Sequence, residues 1–165
     1  MSITTTYLQM LTHQSRQVSP PPADITIRQV AQPTVEFYRR IYDAVGGDWN
    51  WSSRKKLPDA DLACIISDPQ VEIHFLLVNG EQAGFAELDR RQPGEIELVQ
   101  FGLVAKFIGR GLGKYFLQWV IDKAFSYEPQ RFWLHTCTAD HPAALPNYLK
   151  AGFTIYDVKT TAEDE

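Results

Sequence analysis

Gly109, Gly111 and Gly113 alternate over five residues, after the apolar run 95–104 and before an amphipathic segment, Tyr115–Phe125. A glycine-rich turn that opens a helix leaves several backbone N–H groups without intrahelical partners, and the helix dipole adds partial positive charge there. Such a turn suits a pyrophosphate, and the missing side chains let phosphate approach the backbone closely. Arg110 and Lys114 add charge beside it, or else are solvated surface. Spacing excludes two familiar phosphate loops. A Walker A loop needs glycine where Ile108 stands and Ser or Thr where Tyr115 stands. A dinucleotide fingerprint starting at Gly109 needs glycine where Lys114 stands. A ligand-free strand-to-helix turn is the plain alternative.

A second chemical group is a set of carboxylates. Asn79-Gly80 is a strong hairpin signal between the β-rich runs 71–78 and 82–89. A two-residue loop pairs Val78 with Glu81 and, counting back, Glu72 with Glu87. His74 lies two residues from Glu72, on the same face. A further turn centred on Gln92 pairs Glu87 with Glu97. Three carboxylates and an imidazole are then expected on one face of three adjacent strands, where anions disfavour one another's ionisation and attract cations. The alternative is an exposed polar face. Trp49 and Trp51, in the loop 48–57, offer walls suited to an apolar or cationic substrate, or simply pack that loop. His135, Cys137, Asp140 and His141 lack an established metal spacing, so no metal is expected. Cys137 reads as a small buried side chain.

The elements that must position these groups follow from pattern and punctuation. Ile3–Leu11 is a short strand or a mobile segment, and 13–24, with Pro20-Pro21-Pro22, is an extended linker. Strands are expected at 25–30, 71–78, 82–89, 95–104, 131–138 and 153–159. Helices are expected at 35–45 with Thr34 as N-cap, at 59–67, from 115 to about 126, and at 142–151 before Gly152. Three consecutive strands followed by helix, strand, helix, strand describe a mixed α/β sheet with helices on both faces. The 165 residues, 44% apolar and 22% charged, suggest one domain of an ordinary soluble protein. No apolar run approaches the roughly 18 residues of a membrane span. Residues 1–12 lack the pattern of a secretory signal. Two cysteines give no disulfide framework, so a cytoplasmic setting is expected. A net charge of −4 argues against nucleic acid and suits an amine.

Over roughly residues 25–160 the chain resembles the GNAT superfamily of N-acetyltransferases. Gly111-Leu112-Gly113 fits the second half of that family's acetyl-CoA loop, with Ile108 in place of its usual Gln or Arg and Ala105 where Pro is common. Tyr148-Leu-Lys-Ala-Gly-Phe153 looks like its Tyr-x-Lys-x-Gly-Phe ending of the last helix. The segment His135-Thr-Cys-Thr-Ala-Asp-His-Pro-Ala-Ala-Leu-Pro-Asn-Tyr148 looks like a recurring bacterial subgroup. The resemblance implies a mostly antiparallel sheet of six or seven strands. Its fourth and fifth strands, 95–104 and 131–138, would be splayed around the cofactor. It implies a domain over 25–160, preceded by an extension at 1–24 and followed by a tail at 161–165.

The same resemblance implies roles. Leu103, with Val104 beside it, matches the strand end whose N–H holds the thioester carbonyl, an oxyanion donor. The turn Gly109–Lys114, including Leu112, would hold the CoA pyrophosphate, and Asn147 the pantetheine arm. His141 stands where the family often has Asn. Tyr148 matches the general acid for the departing thiolate, or packs its helix. Glu97, eleven residues before Ile108, matches the general base of one branch, with water as the alternative. Glu72, His74, Glu87, Trp49 and Trp51 would surround the acceptor. The expected activity is acetyl transfer from acetyl-CoA to a small-molecule or peptide amine, without nucleic acid or membrane, and compatible with a homodimer. A non-catalytic acyl-CoA sensor and a longer-chain acyltransferase are the alternatives.

Overall fold

In the computed structural model, residues 2–49, 51 and 54–162 are described. Their elements run β1 Ser2–Met10, β2 Ile25–Gln29, α1 Val35–Gly46, α2 Asp59–Ile66, β3 Val71–Val78, β4 Glu81–Asp89, β5 Glu95–Leu103, α3 Leu112–Phe125, β6 Arg131–Cys137, α4 Ala144–Ala151 and β7 Thr154–Ala162. The seven strands form one sheet in the order β2-β3-β4-β5-β6-β1-β7. Only β5 and β6 are parallel; the other neighbours are antiparallel. This is the mixed sheet expected from the order of elements, and it is mostly antiparallel, as the family resemblance implies.

Alternation along the strands divides two cores. Ile73 and Phe75 of β3 and Phe85 of β4 meet Tyr38, Ile41 and Val45 of α1 and Leu62 and Ile66 of α2. Leu76, Leu88, Ile96 and Leu98 point the other way, to Phe116, Val120 and Ile121 of α3. Burying such a side chain contributes about 1.5–3 kcal/mol. Thr34 caps α1, its Oγ1 accepting the Phe37 N–H at 3.1 Å, as its sequence position suggests. No helix among the described residues is long and apolar enough to cross a membrane.

The N-terminal residues are part of the sheet. β1 lies between β6 and β7, pairing Thr5–Met10 with Cys137–Phe132 and Ser2–Gln9 with Ala162–Thr154. Thr6, Leu8 and Met10 are buried, the alternation of a half-buried strand. The linker then runs back along α3. The His13 ring stacks on Phe125 at 5.0 Å and its Nε2 lies 2.7 Å from Asp122. Gln118 donates to the Gln14 carbonyl at 3.1 Å. An extension separate from a domain that starts at residue 25 is therefore not how the strands pair. Of the tail expected at 161–165, Thr161 and Ala162 continue β7, and 163–165 lie outside the described residues.

Two bulges correct the expected row of carboxylates. The turn at Asn79 (φ 52°) and Gly80 (φ 80°) does pair Val78 with Glu81. The register then shifts between Leu76 and Leu77, so Glu72 faces Leu88 and Ile73 faces Glu87. A second shift between Glu87 and Leu88 sets Glu87 opposite Gln100, and Asp89 opposite Glu97. One extra residue turns every later side chain to the other face. Glu72 and His74 therefore lie on the α3 face, both buried, and Glu87 on the α1 face.

On its own face Glu72 is a structural anion. Its Oε1 lies 2.9 Å from His74 Nε2, and its Oε2 accepts from Arg90 Nε at 2.7 Å and Tyr127 at 2.5 Å. Burial alone would raise its pKa, but the bonds from His74, Tyr127 and Arg90 offset this and hold it at about 2. Its stabilising contribution is present above the ordinary value of 4.5 and is lost as pH falls from there toward 2. Glu72→Gln should cost on the order of 3 kcal/mol at pH 7 and flatten that acid-side loss. Urea melts of both proteins from pH 7 to pH 3 check this, and parallel stability curves would contradict it.

Candidate active site

β5 and β6 are paired only at Glu95–Arg131, Ile96–Phe132 and Glu97–Trp133. Beyond that point β5 stays on β4 as far as Leu103, and β6 stays on β1 as far as Cys137. The strands therefore part, and a cavity of about 340 Å³ opens between them. That volume is within the range of small-molecule sites. Val104 N–H donates to the Ala83 carbonyl at 2.7 Å. Ladder bonds alternate in an antiparallel pair, so the preceding N–H, of Leu103, points from the other edge of β5 into the gap.

The glycine turn closes one end. Ile108 and Gly113 line the cavity on either side of it, and Gly109, Arg110 and Gly111 are exposed between them. Gly109 (φ 86°) and Gly111 (φ 79°) are left-handed, a conformation that favours glycine. α3 starts at Leu112 rather than Tyr115, with Gly111 as its N-cap. The N–H groups of its first turn face out beside the cavity mouth, where an anion is favoured. Lys114 is exposed there, whereas Leu112 is buried in the core.

Tyr148 and Asn147 enter from α4. The Tyr148 ring packs on Phe101 (6.3 Å) and Phe153 (6.0 Å). Its hydroxyl makes no hydrogen bond among the described residues, and the side chain lines the cavity. Burial, and then the nearby Asp140 carboxylate, push its pKa upward, so the phenol keeps its proton. Asp140 closes the turn after β6, accepting from Thr136 Oγ1 at 2.6 Å and from Cys137 N–H at 2.9 Å. Among the described residues, no lysine or arginine lines the cavity.

The opposite wall comes from α1 and the loop after it. Trp51 lies on two glycines: a Cβ on Gly46 would come within 2.3 Å of its ring, and one on Gly102 within 3.3 Å. Trp49 meets His141 with ring centroids 4.8 Å apart, so a contact joins the two rims. Arg54 pins the same loop to the sheet. Its Nη2 donates to Glu87 Oε2 at 2.5 Å, and Tyr38 donates to Oε1. Arg39 adds hydrogen bonds to the Arg54 and Leu57 carbonyls.

Glu97 stands beside this group, its side chain 22% exposed, with its Oε2 3.9 Å from His135 Nε2. Burial first, then Asp89, and less strongly Glu87, push its pKa up to about 7 against the pull of Arg54. The three carboxylates that share a face are thus Glu87, Asp89 and Glu97.

Of the residues singled out in the sequence, Leu103, Gly113, Asn147, Tyr148, Trp49 and Trp51 line the cavity. Gly109, Arg110, Gly111 and Lys114 are exposed in the turn next to the lining residues Ile108 and Gly113, and Val104 is held by β4. Glu97 is at its edge, Glu87 is fully buried beneath Arg54, and Glu72 and His74 are on the far face of the sheet. Sequence reasoning missed Tyr42, Val45, Asp140 and His135 as lining residues. The alternation Trp133-x-His135-x-Cys137 on a strand next to the glycine turn was the available signal for His135. Among the described residues no three His, Cys, Asp or Glu side chains gather as a metal site.

The model of the acetyltransferase (GNAT) family matches residues 35–153. No curated protein matches the chain. Among solved structures it is similar to a conserved protein from Staphylococcus epidermidis, at 18% identity and TM-score 0.67, covering 97% of this chain and 60% of that one. A GCN5-related N-acetyltransferase from Sphaerobacter thermophilus gives 17% identity and TM-score 0.67 over 94% and 49%. The ribosomal-protein-S18-alanine N-acetyltransferase from Escherichia coli gives 20% identity and TM-score 0.62 over 79% and 77%. The chain thus spans 60% of the length of the first and 49% of the second.

The Glu97 environment makes a stability prediction. Its folded-state pKa lies above 4.5, so deprotonation costs stability as pH rises from there through 7. Glu97→Gln removes that cost. It should stabilise the fold by about 1–3 kcal/mol at pH 8 and change little at pH 4. Denaturant unfolding at the two pH values is the measurement, and an equal difference at both would contradict the assignment.

Proposed function

The chain belongs to the acetyltransferase (GNAT) family, and on that premise we propose that it transfers acetyl from acetyl-CoA to a primary amine by direct attack, in a cytoplasmic setting. One observation carries this reading. The sheet opens where the Leu103 N–H projects into the gap, with the Tyr148 hydroxyl, which has no hydrogen bond among the described residues, in the same cavity. A free N–H at that point suits the oxygen that turns negative when a thioester is attacked. A phenol held in its protonated form suits the thiolate that leaves. The exposed glycine turn and the first N–H groups of α3 suit a pyrophosphate. Aromatic walls and the absence of lysine and arginine from the described lining suit a cationic acceptor.

The decisive experiment follows thiol release from acetyl-CoA over a panel of amines. Tyr148→Phe should lower kcat about a hundred- to ten-thousandfold and leave acetyl-CoA affinity nearly unchanged. Equal turnover in the mutant would make Tyr148 a packing residue. Binding without turnover for every amine would favour an acyl-CoA sensor, and preference for longer thioesters would favour a different donor.

Binding itself is best tested at Gly113. Gly111 is left-handed, so a valine there strains the turn. Gly113 is helical, and a Cβ on it meets only Leu103 at 3.6 Å, an ordinary contact. Gly113→Val should keep the melting temperature within a few degrees and weaken CoA binding at least tenfold, about 1.4 kcal/mol. Calorimetry with CoA reads this directly, and unchanged affinity would place the phosphates elsewhere.

A further inference from the structure

Glu97 does not itself line the cavity. His135 does, and it stands between the two. Trp133 pairs with Glu97 where β5 and β6 still touch. His135 is two residues further along β6, on the same face and one step into the gap. Its Nε2 lies 3.9 Å from Glu97 Oε2, and its side chain is 48% exposed against 22% for Glu97. Tyr7 of β1, directly opposite in register, holds the other flank at 5.6 Å between ring centroids. Resting on the acyl-transfer reading above, we propose that His135 is the catalytic base that takes the acceptor's proton, with Glu97, 3.9 Å away, as the positioning residue behind it.

The groups around the imidazole fit that role. From β5 it faces Glu97, with Asp89, Glu87, Arg54 and Arg91 behind. From β1 it faces Tyr7, whose ring carries Lys159 of β7 at 4.9 Å. Asp140 lies in the following turn, and Cys137 lies on the same strand face. Burial lowers the His135 pKa, and Asp140 opposes that effect only in part. The ring is therefore neutral at pH 7 and able to accept a proton.

The protons balance as follows. An ammonium acceptor gives one proton to the His135 imidazole, which passes it to water on its exposed side. The free amine forms the C–N bond at the thioester carbonyl, and the C–S bond breaks. Tyr148 protonates the departing thiolate, and the proton released from the new amide nitrogen restores the phenol. Free thiol, amide and one solvent proton result.

The test combines pH–rate profiles with a titration that needs no turnover. His135→Gln, Glu97→Gln and the double mutant are compared with the native protein, using acetyl-CoA and an amine from the panel. His135→Gln should lower kcat/KM on the order of a hundredfold near pH 6.5 and remove the acid limb, the deficit shrinking above the amine's pKa. Glu97→Gln should cost less, about tenfold, and the double mutant should match His135→Gln, because one residue acts through the other. By NMR, the His135 titration should change in Glu97→Gln, because two ionisable groups 3.9 Å apart titrate as a pair. His135→Gln within threefold of native at every pH, with Glu97→Gln still impaired, would overturn the proposal and leave acyl transfer standing with Glu97 or water as base. An unmoved His135 titration would overturn the pairing on its own. Release of thiol with no amine at all would remove the acyl-transfer reading and this base with it.

Discussion

The site depends on a parallel strand pair that stops after three residues. Abandoned strand edges expose N–H and C=O groups that a folded chain ordinarily pairs. Here each strand is secured on its other side, β5 by β4 and β6 by β1, so the gap cannot close by sliding. β1 is therefore a brace: its six pairs hold β6 in line past the last contact with β5. Where β5 leaves β6, its edge near Leu103 holds backbone groups at fixed positions, suited to a ligand without a side chain having to carry the contact.

The gap also joins two unlike environments. On the α3 face lie the glycine turn, α4 and the Tyr148 phenol, whose burial keeps it protonated. On the α1 face lie Trp51, the loop pinned by Arg54, and the carboxylates Glu87, Asp89 and Glu97. Arg54 neutralises Glu87 at the base of that group, and Arg91 pairs with Asp89. Among the described residues Glu97 has no such guanidinium partner, and its burial, then the nearby Asp89, makes its charged form costly. Its raised pKa is the consequence, and a group that titrates near 7 is one that can exchange protons at neutral pH.

Much of this was legible. The order of strands and helices, the Thr34 cap, the Asn79-Gly80 turn and the glycine turn each have a local cause that the sequence displays. The carboxylate row did not survive because its logic was arithmetic along strands, and two bulges changed the count. Gly84, alone in a strand pattern beside the first bulge, was the available hint. Nothing local marks the second. The insertion of β1 was equally hidden, since an N-terminal strand reads the same wherever it pairs. The helix start at Leu112 was placed late because a left-handed Gly111 can serve as a cap without a capping side chain. His135 entered the sequence reading only in a group without an established metal spacing, and only the splayed sheet shows it beside Glu97.

On the proposed reading, the two faces also explain why acid and base do not cancel. A phenol that burial keeps protonated and a neutral imidazole would hydrogen-bond each other if they met directly, leaving neither for a substrate. Here Tyr148 projects from α4 on one face, and His135 and Glu97 occupy the other, with the opening between β5 and β6 separating them. A reacting carbonyl in that opening is the point both can reach. In the proposed reaction, proton removal from the nucleophile and proton delivery to the leaving group then occur on opposite sides of one reacting carbon. That arrangement follows from the pleat: neighbouring residues of a strand face opposite ways, and a sheet that opens offers both ways to the same space.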